Sequence, residues 1–194
     1  MDTSTTRLIL VRHGATEWSV NGRHTGQTDL PLTEEGRRLA ALVGRALAGY
    51  HFSLVLVSPL QRAQETCRLA GQGAQAQTRP DLREWEYGAY EGRTTADIHR
   101  ERPGWSLWRD GAPGGETPPT VGTRTDRVIA EARASGGDVA LFAHGHVLRV
   151  LTARWLDLPP ADGRLFALDT ATISVLGYER EQAVIRAWNT AVSR

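Results

Sequence analysis

The stretch RLILVRHG, residues 7–14, decides the fold. A short run rich in Leu, Ile and Val (7–11) ends directly in Arg12-His13-Gly14. So short and β-rich a run reads as a buried strand. In an open α/β sheet the ligand crevice lies beyond the carboxyl ends of the strands, so polar chemistry should follow each apolar run. The same pattern recurs downstream. SLVLV (53–57) leads into Ser58-Pro59, with Arg62 just beyond, and DVALFA (138–143) leads into His144-Gly145-His146. Histidines and arginines far apart in sequence thereby converge on one sheet edge.

Outward from these strands, the chain alternates in type. A long polar segment, RHGATEWSVNGRHTGQTDLP, follows the first strand, and connections of that length are often functional. Thr33, followed by two glutamates, predicts an N-cap for a helix over 34–48. Pro59 opens a helix to about Leu69, and a short strand is expected near 75–78. Further helices are expected over 119–134 and 147–156, the latter stopped before Pro159 and Pro160. ATISVLGYE and AVIRAWN should form a terminal hairpin. Residues 80–120 break the alternation with tryptophans, tyrosines, glycines and prolines, and read as a cap-like insertion over one face of the sheet. The expected fold is α/β: a three-layer sandwich whose mainly parallel sheet carries helices on both faces, in one domain spanning 1–194.

Composition narrows the function classes. The 194 residues are 40% hydrophobic and 23% charged, ordinary values for a globular chain. No apolar run reaches the ~18 residues of a membrane span, and MDTSTTRLIL lacks the features of a signal peptide. The single cysteine, Cys67, leaves no internal disulfide. The expected setting is the cytoplasm. A net charge of +1 points to neither nucleic acid nor anionic membrane as partner; a homodimer is left open. All 23 basic residues are arginine. Lysine-nucleophile and P-loop chemistry is therefore excluded, and any anion site must use arginine forks, amides and histidine.

That composition fits a phosphate pocket containing a nucleophile. Arginine binds two phosphoryl oxygens at once, and helix N-termini after Pro59 and after Gly145 would add amide donors. Surrounding guanidinium charge would keep an imidazole neutral and able to attack phosphorus. Gly14 permits a sharp turn, and a carbonyl there would fix the imidazole tautomer. His144-Gly145-His146 could instead be a metal pair, but no neighbouring ligand cluster completes it. Neither a metal nor a cofactor is expected.

LILVRHGATEW, SPLQRAQET and FAHGHVLR, in that order, resemble the signature blocks of the histidine phosphatase superfamily, the phosphoglycerate-mutase-like enzymes. The resemblance covers about 7–178 and implies transfer through a phosphohistidine. It assigns the nucleophile to His13, phosphate binding to Arg12 and Arg62, and a second pocket histidine to His144, with Gly145 beside it. LREWEYGAYEG resembles the segment with the family's proton donor and places Glu84 there, with Glu86 as rival. Thr25 and Gly26 match the turn that lines the pocket. Where the family often has Asn, this chain has Ser19.

The family contains mutases and phosphatases. The mutases bind a substrate carboxylate with lysine and paired arginines; this chain has no lysine and its insertion no adjacent arginine pair, whereas WRDGAPGGET (108–117) resembles the phosphatase branch. TEWS, TGQTDLPLT and WRDG are similar to fungal sedoheptulose-1,7-bisphosphatases and small actinobacterial acid phosphatases. The expected activity is hydrolysis of small phosphorylated metabolites, sugar phosphates above all. The alternatives are a phosphoglycerate mutase and a non-catalytic phosphate-binding domain. Arg23, His24, Tyr87, Arg93, Trp108 and Arg109 are candidates for contact with the rest of the substrate.

Overall fold

In the computed structural model, which describes residues 6–192, six strands form one sheet in the order β3-β2-β4-β1-β5-β6. β1 (Arg7–Arg12) and β4 (Asp138–Ala143) pair in parallel at its centre. β2 (Phe52–Val57) and β3 (Ala76–Thr78) extend the parallel part on one side. On the other, β5 (Thr172–Glu179) and β6 (Gln182–Ala191) form the expected hairpin, antiparallel to β1. The sheet is thus mixed but mostly parallel.

Period-2 alternation divides the core in two. Leu8 and Leu10 face one side of the sheet and join Leu56, Val139 and Leu141. Ile9 and Val11 face the other, with Val55, Val57, Ala140 and Phe142. Helices α2 (Glu34–Leu47) and α3 (Gln61–Leu69) cover the second face through Val43, Leu47, Ala63 and Cys67. Helices α6 (Pro118–Ala134) and α7 (Gly145–Trp155) cover the first through Val121, Val128, Leu148 and Leu151. The short α1 (Glu17–Val20) lies in the polar segment after β1.

The segment 80–120 contains α4 (Thr95–Glu101) and α5 (Leu107–Asp110). Leu82, Trp85, Tyr87, Ile98, Trp105 and Leu107 are buried in the same cluster as α6 and α7. This stretch therefore helps to build the core on its face of the sheet. Two helix starts differ from expectation. α3 begins at Gln61, because the amide of Gln61 donates to Asp29 Oδ1 at 2.8 Å. α7 begins at Gly145, directly after His144 as its N-cap.

Candidate active site

His13 leaves β1 through a hydrogen bond from its own amide to Ala143 O (3.0 Å). Gly14 is required immediately after it: a Cβ there would stand 2.5 Å from Gly36 O, where α2 crosses. The turn brings His13 Nδ1 to 2.7 Å from Gly14 O. A carbonyl only accepts, so Nδ1 carries the proton and Nε2 keeps its lone pair. Burial, then the charges of Arg62 and Arg12, push the His13 pKa down to about 3. The imidazole is neutral at physiological pH and retains a free nucleophilic nitrogen.

Arg12, beside it, donates through Nη1 to Leu168 O. Its Nε–H is buried without a partner among the described residues. Arg12 also lines the cavity. Gly145 makes room for this guanidinium; a Cβ would stand 3.3 Å from Arg12 Cζ. Arg62 is fully buried and more constrained. Nη2 donates to Thr25 O and Gly26 O (both 3.0 Å), Nη1 to Thr28 O (3.1 Å), and Nε to His144 Nδ1 (3.1 Å). Burial lowers the pKa of both arginines, yet arginine remains charged in proteins.

Accepting from Arg62 sets the tautomer of His144, whose Nε2–H then donates to Ser58 Oγ at 2.7 Å. Its ring stands edge-on to His13 at 5.0 Å. Burial, with Arg62 and His13, holds its pKa well below the ordinary histidine value. In this geometry His144 fixes Arg62, and both its ring nitrogens are already engaged.

Glu84 is buried at the N-terminus of α7. Oε1 accepts from the amides of Trp85 and Val147, and Oε2 from that of His146, all at 2.9 Å. Burial acts to raise its pKa, but hydrogen bonding and charge from His146, with His144, hold it well below the usual carboxylate range. Some of the helix N-terminal amides are committed within the protein: those of His146 and Val147 in α7 are held by Glu84 and that of Gln61 in α3 by Asp29, because a carboxylate at a helix N-terminus satisfies its orphan donors and dipole.

Of these groups, Arg12, His13 and Glu84 line a cavity of ≈ 150 Å³, together with Ser19, Arg23, His24, Thr25 and Tyr87, while Arg62 and His144 lie buried behind it. Ser19 lines it, but its hydroxyl exchanges hydrogen bonds with Thr16 to cap α1. Gly26 contributes a carbonyl to Arg62, while its amide donates to Glu91. Tyr87 OH lies 2.7 Å from His146 Nδ1, and Trp108 packs on His146 at 5.2 Å and beneath Arg149. Arg93 pairs with Glu101, and Arg109 with Asp110; neither lines the cavity. Glu86 is exposed. Among the described residues no group of three or more metal-ligating side chains comes together.

Sequence reading missed Ser58 and Glu91 as parts of this arrangement. Glu91 accepts from the amides of Gly26 and Thr28 (2.9–3.0 Å) and so shapes the turn whose carbonyls hold Arg62. A signal was present, since Glu91 is the last residue but one of the block LREWEYGAYEG.

Comparison with known proteins agrees with this geometry. The family model of the histidine phosphatase superfamily (branch 1) matches residues 8–191. An acid phosphatase of Mycobacterium tuberculosis (strain ATCC 25618 / H37Rv) is 42% identical over 186 residues, covering 92% of this chain and 91% of its own. A sedoheptulose 1,7-bisphosphatase of Saccharomyces cerevisiae is 39% identical, covering 81% and 70%. The solved structure of the open reading frame Rv3214 from Mycobacterium tuberculosis superposes with a TM-score of 0.92 at 38% identity, over 97% of this chain and 99% of that one. The chain belongs to the histidine phosphatase superfamily, branch 1, and is a phosphatase.

Proposed function

We propose that the chain hydrolyses phosphate monoesters of sugars or related small metabolites through a phosphohistidine at His13 Nε2. One observation carries this reading: His13 is neutral, with Nδ1 held on Gly14 O, and it lines a cavity together with Arg12. Nε2 attacks phosphorus and the ester P–O bond breaks. The imidazole becomes positively charged, and the short bond from Nδ1 to Gly14 O supports that charge. The leaving alkoxide takes a proton from Glu84. Water then attacks phosphorus, Glu84 accepts its proton, and the P–N bond breaks. Phosphate leaves and His13 is neutral again.

Glu84 is ionised in the free enzyme, so it must gain a proton before it can donate one. The incoming phosphoryl anion supplies the cause, because a like charge nearby raises a carboxyl pKa. Loose phosphoryl-transfer transition states depend mainly on positioning and charge, and the rigid placement of Arg12 and Arg62 suits that need.

A cavity of ≈ 150 Å³ suits a phosphoryl group, and the remainder of the substrate would extend along Arg23, His24 and Tyr87. Since Arg93 and Arg109 are paired elsewhere, the insertion presents no arginine cluster for the carboxylate of a phosphoglycerate, which favours hydrolysis over mutase transfer. Sugar phosphates are favoured because the yeast relative is named for a sugar bisphosphate. A cytoplasmic setting is supported by a single cysteine that stays a buried thiol. His13→Ala tests the mechanism. Wild type should form an acid-labile phosphoenzyme with p-nitrophenyl phosphate, and the variant should form none and lose turnover. Substantial turnover by a folded His13→Ala protein would refute it.

A further inference from the structure

Glu84 lies in a segment without regular secondary structure between two short 3₁₀ turns, Pro80–Leu82 and Gly88–Tyr90. Its proposed role needs the carboxylate fixed to a fraction of an ångström, and loop backbone alone does not provide that. The amides of Trp85, His146 and Val147 hold the carboxylate itself, and the backbone behind it is constrained from α6 and the residue just before its cap. Arg124 Nη1 donates to Asp81 O and Arg83 O, both at 2.7 Å, and Nη2 to Glu84 O at 3.3 Å. The same guanidinium forms a fork with Glu116, Nε to Oε1 at 2.9 Å and Nη2 to Oε2 at 3.0 Å.

Glu116 holds the other end of the segment. Its Oε2 accepts from the amide of Glu86 (3.0 Å), its amide donates to Glu86 O (2.9 Å), and its carbonyl accepts from Trp85 Nε1 (3.0 Å). The side chains of the pair are only 10% and 16% exposed. A largely buried ion pair is poor evidence of a stability gain over an apolar pair. Here its geometry distributes donors and acceptors along the backbone of residues 81–86.

The clamp rests on a stiff base. Thr117 caps α6 by accepting from Thr120 N, Pro118 starts it, and Val121, Val128 and Ile129 anchor it in the core. Gly115 must be glycine for the loop to dock: a Cβ there would stand 2.1 Å from Glu86 O. The GGET run singled out from the sequence thereby gains a physical purpose.

We propose that Arg124 and Glu116 are positioning residues that set the Glu84 carboxylate for proton transfer, with no contact of their own to the reacting atoms. This rests on reading Glu84 as the acid–base group. The test compares Arg124→Lys and Glu116→Gln with wild type, with Glu84→Gln in parallel and Arg127→Gln as control. Arg127 lies on the same helix and binds the Asp81 side chain at 2.7 Å, outside the clamp. kcat/KM is measured with glycerol 3-phosphate, whose alkoxide needs a proton, and with p-nitrophenyl phosphate, whose leaving group needs little help. Binding of inorganic phosphate is followed by inhibition, and folding by circular dichroism and Tm.

Misplacement of a catalytic group by about 1 Å costs roughly 10²-fold. Both clamp variants should therefore lose about 10–100-fold with glycerol 3-phosphate but no more than about threefold with p-nitrophenyl phosphate. Phosphate inhibition and the Arg127→Gln profile should stay at wild-type values. Equal losses on both substrates, or no loss, in folded clamp variants overturn the proposal. If Glu84→Gln is selective for glycerol 3-phosphate and the clamp variants are not, only the clamp has failed. If Glu84→Gln shows no selectivity, the acid–base reading has failed, and the clamp proposal with it. Should Arg124→Lys not fold, Glu116→Gln, which retains Oε1 as an acceptor for Arg124 Nε, decides the matter.

Discussion

Replacing Glu84 with glutamine should separate two roles that the structure combines in one carboxylate. Oε1 accepts from Trp85 N and Val147 N, and the amide oxygen of glutamine can take over both bonds. Oε2 accepts from His146 N, where glutamine places an NH₂ that cannot accept. One helix amide then loses its partner, at about 1–3 kcal/mol. The anion also leaves the α7 N-terminus, at about 0.3–1 kcal/mol or somewhat more in a buried geometry. At roughly 2–4 °C per kcal/mol for a chain of this size, Tm should fall by about 3–15 °C with the fold retained.

The stability loss has a pH signature. The folded pKa of Glu84 is depressed, so its contribution is present above the unfolded value near 4.5 and is lost as pH falls through the folded value. The Tm gap between wild type and variant should therefore be full at pH 7 and narrow below about pH 4.5. Catalysis has a separate signature. A general acid contributes roughly 10²–10⁴-fold, so kcat/KM with an alkyl phosphate should fall by that order, whereas p-nitrophenyl phosphate should lose far less. Scanning calorimetry and steady-state kinetics on the two substrates read both effects. A Tm gap that does not change with pH would refute the helix-anchoring argument. Equal kinetic losses would refute the acid assignment and move attention to Glu86.

Two further outcomes follow from the site. Stability should decline as pH drops below about 6.5, because the fold keeps His13 neutral down to about 3 and His24 down to about 4 while the unfolded chain binds their protons; urea denaturation at pH 7.5 and 5 should show it, and His13→Asn should flatten the trend. Activity should survive exhaustive EDTA treatment, since His144 is engaged by Arg62 and Ser58 and His146 by Tyr87; loss on chelation with rescue by zinc or magnesium would count against this site chemistry.

The parts legible in the sequence were those written in local pattern. β1, β2 and β4 are short β-rich runs that end in polar turns, so Arg12, His13, Arg62 and His144 could be placed on one edge without knowing their contacts. The helix caps at Thr33 and Thr117 are likewise local, although only the former was anticipated. What was not legible depends on contacts between distant residues. Glu84 meets α7 across 62 and 63 positions, Gly26 meets Glu91 across 65, and Arg124 meets Glu84 across 40. No spacing rule links such pairs. Arg93 and Arg109 attracted attention as cations, but acidic neighbours at Glu101 and Asp110 engage them locally. The carboxylates at the two helix N-termini were not legible for the same reason, because Asp29 and Glu84 reach them from elsewhere in the chain.

That occupation changes the charge logic of the pocket. Had both helix ends faced the cavity, dipoles and arginines would together have made it strongly positive. Instead, with the carboxylate of Glu84 on α7 and the histidines neutral, positive charge comes from arginine: Arg12 and Arg62 beside His13, and Arg23 on the cavity wall. A phosphoryl dianion bound here sets like charge beside the Glu84 carboxylate. The lowest-cost adjustment available is a proton on Glu84. Arg62 is held by three carbonyls and His144, and His13 is shielded by burial and two cations, so neither can respond. In the proposed mechanism, binding of the phosphoryl group would load Glu84 with the proton that the first step requires, and transfer of that proton to the leaving alkoxide would return Glu84 to the carboxylate that the second step requires as a base. A helix N-terminus that holds its carboxylate ionised in the resting enzyme is in this way compatible with a proton donor, because the substrate itself supplies the opposing charge.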